Sequence, residues 1–279
     1  MGLDTKFIDK TNAMPGNENK VKEVGRYLYC IADAGESLSL GGIGIAKNRV
    51  YTIPYNDICA VVHNCPAQPY QSENHDIVKT WVITHQEVVD AAWTRWGTVL
   101  PLSFDTIIKG ESDSNAEQNV KDWLKQEYER LKKKMEDVRG KAEYGVQVFW
   151  NPKIISQNLM ETNQGIKELN DVIRTKPKGL AYMYRQKLEN LIKHEMETGA
   201  DVCFRVFYNR IKKHTTDIRV EKTKKAEQGL QMILNLSCLV HKDRYPELGE
   251  ELDSINQMEG FSVRFTGPWP PYSFVGGVS

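Results

Sequence analysis

Two stripes of apolar side chains at helical spacing, set between short β-branched and aromatic runs, limit the folds open to this chain more than any other feature. The first stripe is Ile77, Trp81, His85, Val88, Val89, Ala92 and Trp96. Residues three and four apart share one helix face, so the spacing predicts a helix over 74–96 with Gly97 ending it. The second stripe is Val120, Trp123, Leu124, Tyr128, Leu131, Met135 and Val138. Ser114 and Glu117 match a capping box at the start of that helix, and Gly140 closes it. Residues 26–32 read as a strand buried on both faces. Residues 49–53 and 58–62 read as a hairpin, and 98–104 as a strand that Pro101 confines to an edge or a bulge. Strand, strand, strand, helix, strand, helix predicts an α+β domain of ferredoxin-like kind.

The chain has 279 residues, and single cores stop growing near ~250–300 residues, which favours a second domain. The expected division is a flexible leader over 1–24, a ferredoxin-like α+β domain over 25–139, a second α+β domain over 140–266 and a tail over 267–279. In the second domain, residues 144–150 read as a strand and 152–174 as helical. A long helix follows from 180 to about 213, with Gly199 as a candidate break, at roughly 1 kcal/mol against Ala. Its expected apolar face runs from Leu180 to Ile211. An apolar run over 230–240, an acidic helix over 245–258 and an alternating strand over 261–265 complete the pattern.

Composition removes several function classes. Hydrophobic residues at 40% and charged residues at 27% exclude a mostly disordered chain. Lys+Arg and Asp+Glu both number 37, which argues against a dedicated nucleic-acid binder and against a protein built for saturated brine. A net charge of zero also removes the repulsion that keeps copies apart, leaving room for self-association. No stretch approaches ~20 apolar residues, so no membrane span is expected. The opening residues lack the apolar core of a signal peptide, and five scattered cysteines fit a reducing cytoplasm.

Motifs for chemistry are weak. Gly42 and Gly44 begin a G-x-G, but a strand follows where a phosphate site needs a helix N-terminus. His194-Glu195 lacks the second histidine of a zinc protease, since Thr198 stands in its place. Cys59, His63 and Cys65 supply only three ligands, and Cys59 reads as a small core residue. His85 sits in an apolar stripe, where a ring hydrogen-bonded to its neighbours is expected. No catalytic, cofactor-binding or metal-binding residue is assigned. Charge is uneven: eight Lys/Arg over 205–225 are followed by six acids over 243–259. These are expected to face one another, or else to orient a partner.

The tail is the most distinctive segment. Pro268, Pro270 and Pro271 stiffen it, and Trp269, Tyr272 and Phe274 offer the large apolar surfaces found at binding hot spots. Those three aromatics are the expected partner-binding residues. The competing expectation is a strap folded over the protein's own core.

Taken together, residues 26–29, the helix bearing His85, and the stretches 97–104, 143–150 and 265–274 resemble the gas vesicle accessory proteins of the GvpF/GvpL family. The resemblance covers residues 25–275. One departure is Ser103-Phe104-Asp105, where many relatives carry Arg-Phe-Gly. The resemblance implies a two-domain α+β protein with a ferredoxin-like first domain and no enzymatic activity. It implies a cytoplasmic protein that associates with the gas vesicle. Its partners would be the hydrophobic shell protein and other accessory proteins, and its role to nucleate or shape the shell as a minor component. An alternative from another class is a ferredoxin-like small-ligand or nucleotide-binding regulator or enzyme.

Overall fold

The computed structural model describes residues 24–225 and 229–276. The expected leader lies outside them except for Val24, and so do the last three residues of the tail. The first strand, β1 (Val24–Ala32), is the axis of the first half. From Tyr27 to Ala32 it has no solvent exposure at all. A strand of that kind lies inside a sheet covered on both faces.

β1 gains its neighbours in three pieces. β2 (Ser39–Gly41) and β3 (Val50–Tyr55) lead to β4 (Ile58–Pro66), which pairs antiparallel with β1. β5 (Val99–Pro101) and β6 (Ile107–Gly110) then share the other edge of β1, beside its second and first halves. The order is β2-β3-β4-β1-β5, with β6 off the path. Pairing slips between Leu28 and Cys30, a bulge that turns Tyr29 and Cys30 to the same side. The strand expected over 98–104 is therefore two. Asp105 takes φ 70 between them, and its carboxylate accepts the Tyr70 N–H at 3.0 Å. The left-handed conformation suits glycine and tolerates aspartate, which accounts for the departure at this position.

Two helices cover the sheet. α1 (His75–Trp96) is capped by Asn74, whose side chain accepts from the N–H groups of Asp76 and Ile77. Its buried residues Val88, Val89 and Ala92 meet Tyr27, Tyr29 and Val61. α2 (Asp113–Val138) packs Val120, Leu124, Leu131 and Met135 against Leu28, Ile31 and Val62. Those strand residues alternate, so the helices occupy opposite faces. The cap of α2 is Ser112, accepting from Asn115 N–H, and not Ser114 as expected. At the start of α2 the buried Arg26 guanidinium meets the Asp113 carboxylate at 3.0 Å.

After Gly140, at φ 69, a second sheet begins. β7 (Lys141–Trp150) is followed by three helices, α3 (Pro152–Thr162), α4 (Gln164–Thr175) and α5 (Lys178–Lys212). Asn163 splits the segment expected to be one helix, because its side chain caps α4 at Ile166 N–H. Gly199 makes no break in α5. β8 (Asp217–Val220), unexpected from the sequence, precedes β9 (Gln231–His241), α6 (Tyr245–Asn256) and β10 (Phe261–Trp269). The order is β10-β7-β9-β8, again antiparallel. β10 continues four residues past the expected Phe265.

α6 and the last turns of α5 cover one face of this sheet, with Phe207, Ile211, Leu248 and Leu252 on Val146, Leu236 and Cys238. The basic and acidic segments meet there. Arg210 pairs with Glu251 and donates to Ser254 Oγ at 3.0 Å, and His214 lies 3.7 Å from Glu247. The first turns of α5 differ: Leu180, expected on the apolar face, is exposed. There α5 packs on α3 and α4 in an arm whose buried residues, among those described, are Ile166 and Ala181.

Gly110 marks the closest approach of strand and helix. A Cβ on it would lie 2.3 Å from Ala116 N and 2.5 Å from its Cα, whereas one on Gly249 in α6 would meet nothing within 4 Å. Gly110→Ala is expected to lower stability by about 1–3 kcal/mol through overpacking against backbone. Gly249→Ala is expected to raise it by about 0.5–1 kcal/mol, as a helix-interior alanine does. Urea denaturation of the two variants measures both, and the signs must be opposite.

Candidate functional site

The C-terminal strap grows out of β10. Trp269 is the last residue of that strand, paired with Glu143 of β7, and it is 48% exposed. Pro270 and Pro271 are buried behind it, and a 3-10 turn over Tyr272–Phe274 follows. The strap thereby divides the three expected partner-binding aromatics. Tyr272 is half-buried against the α1 side of the first sheet, and burial holds its phenol well above the ordinary value. Phe274 is half-buried on the α2 side, under the Arg219 guanidinium at 5.6 Å, and Val275 is buried beside it. Of the three, only Trp269 is exposed, with about half of its surface open to solvent.

A latch fixes this path. Glu143 is buried in β7, and its carboxylate accepts from Ser273 N–H at 2.7 Å and from Ser273 Oγ at 2.5 Å. Ser237 Oγ on β9 lies 3.1 Å from the same hydroxyl. Lys134 on α2 donates to the carbonyls of Val275, at 3.0 Å, and Gly276, at 2.5 Å. Charge-assisted bonds to a buried carboxylate are roughly twice as strong as neutral ones. The strap therefore ties the second sheet to α2. Sequence reasoning missed Glu143. The available signal was a lone carboxylate inside a buried strand run.

The other candidates resolve into core. His85 Nε2 faces the Leu102 carbonyl at 3.2 Å, so that nitrogen carries the proton. Its Nδ1 then accepts from the Tyr27 hydroxyl at 2.9 Å, which itself accepts the Asp105 N–H at 3.1 Å. His63 Nε2 lies 2.8 Å from the Tyr70 hydroxyl, and the Tyr27 ring stacks on the imidazole. Cys59 and Cys65 share this face, and burial pushes their thiols up to about 12 and about 11. Among the described residues, no group of three His, Cys, Asp or Glu is placed to hold a metal. Gly42 and Gly44 lie in a turn where Gly44 N–H bonds Asn48 O at 3.0 Å. His194 is exposed on α5.

Burial lowers both His63 and His85 from 6.5 to about 4. The unfolded chain therefore binds protons that the folded chain does not. The stability that neutral rings confer is complete above 6.5 and is lost as pH falls towards 4. The loss is about 3 kcal/mol for each histidine. Urea midpoints between pH 7 and pH 4 measure it, and His85→Gln is expected to flatten the slope by about half.

Comparison with known proteins places this architecture. The family model for the gas vesicle synthesis protein GvpL/GvpF matches residues 25–276. Gas vesicle protein L1 of Halobacterium salinarum is 30% identical over 267 residues, covering 92% of each chain. Gas vesicle protein F of Dolichospermum flosaquae is 22% identical, covering 89% of this chain and 96% of its own. The crystal structure of the gas vesicle protein GvpF from Anabaena superposes with a TM-score of 0.70 at 20% identity, covering 90% of this chain and 98% of that one. No helix among the described residues is long and apolar enough to cross a membrane. With its mixed α/β fold and a family match running from β1 to the strap, the chain belongs to the GvpL/GvpF family of gas vesicle synthesis proteins.

Proposed function

We propose that this protein works in building the gas vesicle by binding the hydrophobic shell protein and other accessory proteins, helping to nucleate or shape the shell as a minor component. Family membership supports the vesicle role. The observation that carries the binding reading is the split fate of the strap aromatics, which leaves Trp269 half-exposed at the end of an edge strand while its neighbours turn inward. Phe265, four residues earlier, is also exposed and stacks on Tyr144 at 5.3 Å. Exposed aromatics held on a rigid element bind with little ordering entropy. A shell subunit with a very apolar face aggregates unless such a partner covers it before polymerisation.

On this reading the protein acts in the cytoplasm at the growing vesicle, without catalysis. The two sheets serve as two domains meeting near Arg139–Lys141. The first is read as the ferredoxin-like domain on its strand order β3-β4-β1-β5 alone, since its two helices lie on opposite faces, and the strap would hold the domains in one orientation. Tyr272 and Phe274 act from inside by placing Trp269.

Three outcomes are expected. Deleting the gene abolishes normal vesicles in electron micrographs, and vesicles of normal number and shape in the deletion strain would overturn the role. Trp269→Ala weakens capture of the shell protein in a pull-down at least tenfold, with the melting temperature within about 2 °C of wild type. Tyr272→Ala instead lowers stability by about 2–4 kcal/mol, as loss of a packed aromatic does. Capture that survives Trp269→Ala removes this residue from the contact.

A further inference from the structure

The arm formed by α3, α4 and the start of α5 is the part of the fold least used by its own core. Between Val172 and Leu188 the chain has five basic residues and no acid. Arg174, Lys176, Lys178, Arg185 and Lys187 are all exposed, and Arg174 alone of them forms an ion pair among the described residues, with Asp171 at 3.5 Å just before the segment. Among them Tyr182 and Met183 stand 63% and 60% exposed. An apolar patch ringed by cations has the make-up of a docking surface for an acidic partner with apolar residues of its own.

The same chain carries such a surface at its other end. On α6, Glu250 and Asp253 are exposed and form no ion pair among the described residues; Tyr245 at the helix start, stacked on Tyr144, and Met258 just past its end, against Arg210, are exposed as well. α6 is fixed to the far end of α5 through Arg210 and Glu251. Residues 180 and 210 lie about 45 Å apart along one continuous helix, at 1.5 Å per residue. The two patches therefore cannot meet within one molecule. Between molecules they match in sign and in apolar content, and zero net charge offers no long-range repulsion.

We propose that the arm tip of one molecule docks on the α6 surface of a second copy, head to tail. The two patches differ, so the contact is heterologous. It repeats along a row of molecules instead of closing a two-fold pair. The patches are small, so the contact is weak and depends on concentration.

Sedimentation velocity on the full chain tests this. At about 0.1 M salt the average size is expected to rise with concentration, and at about 1 M salt, where screening is short-ranged, the rise disappears. Lys178→Glu with Arg185→Glu gives a monomer, and so does Glu250→Lys with Asp253→Lys, each weakening association at least tenfold at unchanged helix content. A chain with all four reversals associates again, because the complementarity is restored with its signs exchanged. The proposal falls if the wild type stays monomeric, if either pair leaves association intact, or if the four reversals fail to restore it. Tip-dependent binding to vesicles of anionic phospholipid without self-association also overturns it. Shell-protein capture by Trp269 is read separately, so failure of one reading leaves the other standing.

Discussion

Burial of β1 on both faces is the constraint on which the rest of the structure depends. Every residue from Tyr27 to Ala32 is shut off from water, which one covering layer cannot achieve. The sheet must extend on both sides of β1, and a helix must lie on each face. α1 answers the tyrosine-rich side and α2 the aliphatic side. The bulge at Leu28–Cys30 reconciles the alternation with the bulky rings. Polar groups on the buried tyrosine side need partners within the core. Tyr27, His85, Asp105 and Leu102 supply one another in a continuous chain of hydrogen bonds.

The second sheet meets the first through shared side chains more than through a linker. Trp93 of α1 packs with both cores, under the Lys242 ammonium at 4.3 Å. Leu239 of β9 and Val275 of the strap are members of the α2-side cluster. The latch on Glu143 then sets the direction of the strap, and that direction decides which aromatics face inward. Trp269 is exposed because the chain is still a β-strand there. Tyr272 is half-covered because the next turn enters the crevice.

Long periodic elements were legible in the sequence, and short ones set by tertiary pairing were not. α1 and α2 announced themselves through seven-residue stripes and through glycines that end them. β6 and β8 have four residues each, one with Lys109 and the other with Asp217 and Arg219. They are strands only because β1 and β9 offer open edges. Asn163 looked like any polar residue in a helical stretch, yet its side chain starts a new helix. Gly199 looked like a break and is none, since a 35-residue helix absorbs one glycine. In the tail, composition located the segment that matters. It could not say which ring points outward, because that depends on a carboxylate about 130 residues away in sequence.

The strap also sets an order in time. Lys134 finds its carbonyl partner 141 residues further along the chain. A ribosome adding about 5–20 residues per second takes seconds to make that stretch. Until then the α2 side of the first sheet lacks Leu239, Phe274 and Val275, and its apolar surface stays open to other chains. Once β9 is in place and Leu239 has joined the cluster, Phe274 and Val275 are the members still to arrive. The turn at Tyr272–Phe274 thus closes an apolar surface that the part of the chain made before it leaves open.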